Sequence, residues 1–114
     1  IKGLFRSAKK FTQGLSNCNV SKVEDMRVMF YHAIIFNQPL NDWDVSNVTD
    51  MSQMFAYASR FRSDISSWDV SSVTNMSKMF YYARVFNSNI YFIHIFFQRR
   101  DYQYFMILSI SFNA

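Results

Sequence analysis

The chain has 114 residues, of which 50% are hydrophobic and 19% aromatic, with two Gly and one Pro; this describes one folded domain and excludes a disordered segment or a linker. Its net charge of +4 is gathered in residues 1–17 (Lys2, Arg6, Lys9, Lys10), while residues 18–92 are slightly acidic. That distribution excludes a nucleic-acid partner, which calls for cations spread over the ordered surface, and the single Cys18 excludes an internal disulfide framework and a cysteine-based zinc site.

Internal repetition organises the chain. Residues 43–67 and 68–92 agree without gaps at 15 of 25 positions. One unit earlier, residues 18–42 keep Val20, Ser21, Val23, Asp25, Met26, Met29, Phe30, Ala33 and Phe36 in register. Residues 1–17 form a partial unit through Leu4, Phe5, Ala8, Phe11 and Leu15. The chain opens at Ile1, and its first 20 residues lack the apolar run of a secretory leader. It therefore reads as a piece of a longer repeat array.

Within a unit the hydrophobic period changes. Trp43 and Val45 flank Asp44, the alternation of a short strand with Trp and Val inward. Met51, Met54, Phe55 and Ala58 follow at i, i+3, i+4 and i+7, which predicts a short helix with Thr49 as its cap. Phe61 and Ile65 anchor the return. The expected class is an α/β repeat with one short strand and one short helix per 25-residue turn. A lone unit cannot bury its apolar face, so stacking must supply the missing wall. The predicted core is Val20, Met26, Met29, Phe30, Phe36, Trp43, Val45, Met51, Met54, Phe55, Phe61, Trp68, Val70, Met76, Met79, Phe80 and Phe86. The methionine pairs invite a soft-metal reading, but their spacing beside phenylalanine describes adaptable core filler. No metal or cofactor is implied.

The string Phe36, Asn37, Leu40, Trp43, Asp44, Val45, Ser46, Val48, Thr49, Met51, Met54, Phe55, Ala58, Phe61, regenerated one unit later, resembles the repeat of BspA-type leucine-rich-repeat surface proteins, a mycoplasma-type surface lipoprotein repeat. The resemblance spans Leu4 to Ile90. It implies a right-handed leucine-rich-repeat-like solenoid with a parallel strand ladder, at the cell surface or outside the cell, engaged in adhesion or partner binding. It carries no catalytic residues. Cys18 departs from the pattern where Trp is expected and reads as a buried thiol at a core strand position.

After Ile90 the motif fails, and residues 93–114 are divergent and aromatic. This segment reads either as a terminal cap or as a non-native tail. A membrane span is excluded because Gln98, Arg99, Arg100 and Asp101 split it into pieces shorter than the roughly 20 residues needed.

Asn19, Asp44, Asp69 and His94 share one repeat position and predict an outward ladder, with Asn17, Asp42 and Ser67 two residues earlier. Two readings compete for these carboxylates: a polar binding strip for a protein or glycan, or turn capping through Ser46 and Ser71. A calcium ion shared by Asp44 and Asp69 is a third. His32, aligned with Tyr57 and Tyr82, reads as a solvated helix position. Sequons at Asn19, Asn47 and Asn75 recur with the repeat and so carry little weight for glycosylation. Nucleophile elbows, phosphate loops and His-Glu-x-x-His strings are missing from the sequence. The expected function is a non-catalytic surface interaction module; a structural spacer and a non-functional fragment are the alternatives.

Overall fold

A computed structural model describes residues 14–87. Apolar residues one unit apart lie one on the next. Phe30, Phe36, Phe55, Phe61, Phe80 and Phe86 are all fully buried. Each unit holds one parallel-stacked pair, with ring centroids 4.4 Å apart for Phe30–Phe36, 4.0 Å for Phe55–Phe61 and 4.1 Å for Phe80–Phe86. Between units, Phe30–Phe55 and Phe55–Phe80 stack at 5.4 and 5.8 Å, and Phe36–Phe61 and Phe61–Phe86 at 6.3 and 5.8 Å. The result is a grid of rings, with the methionines and Val45, Val48, Val70 and Val73 in the same core. The predicted core residues from Val20 to Phe86 are all buried, Cys18 being the exception among the side chains expected inside.

The backbone departs from the expected elements. Met51–Ala58 is not helical; the one helix among the described residues is the single turn Arg84–Asn87. Parallel bridges join Asp25 to Asp50 and Asp50 to Asn75. From these bridges, the N–H groups of Met51, Gln53, Phe55 and Tyr57 donate to the carbonyls of Asn75, Ser77, Met79 and Tyr81 at 2.7–2.9 Å. Met26, Val28, Phe30 and His32 donate likewise to Asp50, Ser52, Met54 and Ala56. The intervening donors close tight turns instead: Met54 bonds back to Met51, Ala56 to Gln53 and Ala58 to Phe55. Alternate N–H groups thus cross to the neighbour while the rest turn the chain. A helix would direct all of them inward along its own axis, and one this short is marginal by itself. Crossing bonds satisfy the same donors and tie the units together.

This path requires left-handed backbone at two positions per unit. Val28, Gln53 and Lys78 (φ 51°, 56°, 54°) are the third residues of the turns that start at Met26, Met51 and Met76, and His32, Tyr57 and Tyr82 (φ 64°, 61°, 57°) those of the turns that start at Phe30, Phe55 and Phe80; positive φ at that place is the type II pattern, where glycine is usual. An L-residue there costs about 1–2 kcal/mol.

Trp43 and Trp68 are buried, but the segment Trp43–Val45 is not a strand. Instead each indole N–H donates to a backbone carbonyl 28 residues back, Trp43 to Leu15 at 3.0 Å and Trp68 to Leu40 at 2.9 Å. Thr49 does not cap a helix; its N–H and hydroxyl both bond to the carbonyl of Glu24, as those of Thr74 bond to Thr49. The repeated Trp and Thr are therefore fasteners between units.

Two stability outcomes follow. Phe55→Ala removes the centre of the grid and should cost about 3–5 kcal/mol, read as a lowered urea midpoint. Gln53→Gly should raise the unfolding free energy by up to about 1 kcal/mol and the urea midpoint with it, whereas Ala58→Gly, at a position with ordinary φ, should lower both.

Candidate binding surface

Outward-facing residues fall into rows because the units are in register. One row holds Asn19, Asp44 and Asp69, all exposed. In each, Oδ1 accepts the N–H and the hydroxyl of the serine two residues on: Ser21 at 3.0 and 2.7 Å, Ser46 at 3.0 and 2.6 Å, Ser71 at 3.0 and 2.6 Å. The same motif recurs at other corners, with Asp50 accepting from Ser52 and the N–H of Ser66 donating to Asp64. Each of these side chains ties a corner of the unit. The Ser46 bonds hold the Asp44 carboxyl below its usual range, against the weaker opposing effects of burial and of Asp69 nearby. Ser66 does the same for Asp64. Asp42 is exposed and accepts from the Asn41 side chain at 3.5 Å. His94 lies outside the described residues.

The sequon asparagines serve the same architecture. Asn75 accepts from the Ser77 N–H at 3.0 Å, and Asn47 donates from Nδ2 to the Ser21 carbonyl of the unit before at 2.8 Å. Cys18, expected in the core, is exposed. The tryptophans at its position donate to backbone carbonyls 28 residues back; a cysteine side chain has neither that reach nor the N–H.

A second surface lies over the crossing backbone. Here Tyr31, His32, Tyr57, Tyr81 and Tyr82 stand half-buried in one cluster. Tyr57 and Tyr82 stack at 5.2 Å with ring planes 6° apart, His32 meets Tyr57 edge-on at 5.4 Å, and Tyr81 meets Tyr57 edge-on at 5.7 Å. His32 is thus packed among rings and is not a solvated helix residue. Partial burial, then the neighbouring Tyr82, pushes the Tyr81 phenol above its usual range. Beside the cluster runs an open groove of about 310 Å³ lined by His32, Ile34, Tyr57, Ser59, Tyr82 and Arg84.

At the start of this face Arg27 spans two units, 2.8 Å from Asp25 and 3.6 Å from Asp50. The units differ at several outward positions of this face: Arg27, Ser52 and Ser77 share one position, Tyr31, Ala56 and Tyr81 another, and Ile34, Ser59 and Arg84 a third, whereas His32, Tyr57 and Tyr82 share a position that is aromatic in all three units. Variation at outward positions above an invariant core was the available signal. No helix among the described residues is long and apolar enough to cross a membrane.

The corner carboxylates set an acid limit. Asp44 and Asp64 are held low in the folded chain, so their stabilisation is complete above about pH 4 and is lost as the pH falls through their folded values. The Tm should therefore fall as the pH drops below about 4. Asp44→Asn with Asp64→Asn should flatten that fall while leaving the Tm at neutral pH nearly unchanged, since Asn keeps the accepting oxygen; thermal melts across pH check this.

Comparison with known proteins returned no matching curated protein and no matching solved structure. A family model, by contrast, matches residues 1–109, taking in the stacked units, the basic first segment and most of the divergent aromatic one. On that match the chain belongs to the family described as Mycoplasma protein of unknown function, DUF285.

Proposed function

We propose that this chain is a non-catalytic interaction module of a cell-surface or secreted protein. In this reading it is a stretch of a longer BspA-type array, a right-handed leucine-rich-repeat-like solenoid that presents one outward face to a protein or glycan partner. The observation that carries the proposal is the half-buried aromatic cluster of Tyr31, His32, Tyr57, Tyr81 and Tyr82 gathered on one outward face beside a groove. A spacer needs an outer surface that is merely soluble, and hydration is served by the serines and asparagines that fill the other rows. Half-exposed tyrosines clustered beside a groove are instead what binding surfaces enrich. Support for the surface location comes from the repeat string and from membership of the Mycoplasma family.

The competing surface is the polar strip of Asn19, Asp42, Asp44 and Asp69. One experiment separates the two. The full 114-residue chain is applied to a protein and glycan array, alongside Tyr57→Ser with Tyr82→Ser and alongside Asp44→Asn with Asp69→Asn. Loss of the array signal on the tyrosine changes alone, by tenfold or more with the fold intact by circular dichroism, is the expected outcome. Loss on the aspartate changes alone would move the function to the strip, and an empty array would favour the spacer. Location is checked by protease shaving of intact cells, which should remove the repeat segment from a surface protein.

A further inference from the structure

Charge on the described units is segregated. Their carboxylates all lie at Glu24, Asp25, Asp42, Asp44, Asp50, Asp64 and Asp69, and none falls within residues 26–41, 51–63 or 70–87. The crossing segments and the first part of each return therefore carry cations only: Arg27, Arg60, Arg62, Lys78 and Arg84. Arg27 is occupied by Asp25 and Asp50. Among the described residues no carboxylate forms an ion pair with Arg60, Arg62 or Arg84, and all three are exposed. Arg84 lines the groove. Arg60 stands beside it, its backbone N–H bonded at 3.1 Å to the carbonyl of the groove residue Ile34.

The groove has a specific chemistry. Tyr57 and Tyr82 stack face to face and His32 meets Tyr57 edge-on. The pair therefore presents ring edges, which carry the positive side of the aromatic quadrupole, together with phenolic hydroxyls. Ile34 is the one aliphatic residue of the lining, alongside the Ser59 hydroxyl and the Arg84 guanidinium. Hydroxyls and a planar cation set among aromatic rings suit an anionic and hydroxylated ligand. A volume of about 310 Å³ is at the small end of ligand pockets, which span roughly 300–1,000 Å³. A protein partner would instead need apolar anchors at the centre of a much broader contact, and Val85 is the one large hydrophobic residue exposed among the described residues.

We infer that the groove lined by His32, Ile34, Tyr57, Ser59, Tyr82 and Arg84 binds an acidic oligosaccharide. Its carboxylate or sulfate groups pair with Arg84 and Arg60, and its hydroxyls bond to the phenols of Tyr57 and Tyr82 and donate to Ser59 Oγ, whose own proton goes to the Ile34 carbonyl at 3.5 Å. This inference rests on the interaction-module reading and narrows it to one site and one ligand class.

The test is calorimetric titration of the full chain with hexasaccharides of heparin, hyaluronan and polysialic acid, with maltohexaose as the neutral control and poly-L-glutamate as the acidic polypeptide. At least one acidic saccharide should bind, weaken at least tenfold between 50 and 500 mM salt (roughly the range over which screening is strong), and bind at least tenfold more weakly to Arg84→Gln with Arg60→Gln. Tyr82→Phe, which keeps the stacked ring and removes the hydroxyl, should weaken binding severalfold with an unchanged Tm. Binding that is equal for maltohexaose, or untouched by the arginine changes, overturns the inference while the module reading stands. Poly-L-glutamate binding that depends on the arginines, without saccharide binding, does the same and assigns an acidic protein partner. Failure of every saccharide to bind a folded chain also overturns it; should the protein and glycan array be empty as well, the module reading falls too.

Discussion

The fold depends on a single constraint, that residues one repeat apart occupy equivalent places in adjacent units. Two sets of interactions enforce it at once. The phenylalanine grid requires like rings to face each other, with Phe30, Phe55 and Phe80 in one column and Phe36, Phe61 and Phe86 in the other. The parallel bridges at Asp25, Asp50 and Asn75 require the backbone to advance by the same number of residues per unit. A slip of one residue would break both: it would turn ring positions outward and misalign the alternate N–H groups that cross between units. The indole bonds of Trp43 and Trp68, which reach 28 residues back, add a polar check on the same register.

From that constraint the surface chemistry follows in rows. A side chain that recurs in every unit becomes a ladder, and what it does is decided by what it does once. The aspartates and asparagines of the corners accept from the serine two residues ahead, so their rows are part of the scaffold. Rows where the units differ carry no such duty. Those rows hold Tyr31, Tyr81, Arg60 and Arg84, and they flank the row of His32, Tyr57 and Tyr82, which is aromatic in every unit and lines the groove. Corner-forming side chains and the outward residues around the groove thus divide the surface of the same short unit between them.

Backbone strain belongs to the same design. Positive φ recurs at the positions of Val28 and His32 in every unit, which no β-branched or aromatic side chain adopts freely. In the first two units those residues donate N–H groups to the unit that follows: Val28 to Ser52, His32 to Ala56, Gln53 to Ser77 and Tyr57 to Tyr81. The strained residues are therefore among those that fasten the stack. At the second of the two positions the left-handed backbone also sets the aromatic rings of His32, Tyr57 and Tyr82 on the outer face, where they line the groove.

The sequence by itself determined the length of the unit, its boundaries and the identity of the core, because burial is periodic and side-chain hydrophobicity reports it directly. Met51, Met54, Phe55 and Ala58 are inward as their spacing requires. The same spacing could not reveal the backbone, since hydrophobic period states which side chains face inward and not where the N–H groups go. A helix and a run of turns bonded to a neighbouring unit bury the same positions. Only the neighbour, arriving in register, decides between them, and for the same reason it decided that Thr49 fastens units rather than caps a helix, that Cys18 is exposed, and that His32 joins Tyr57 and Tyr82 at a groove. Contacts between units exist only once the stack has formed.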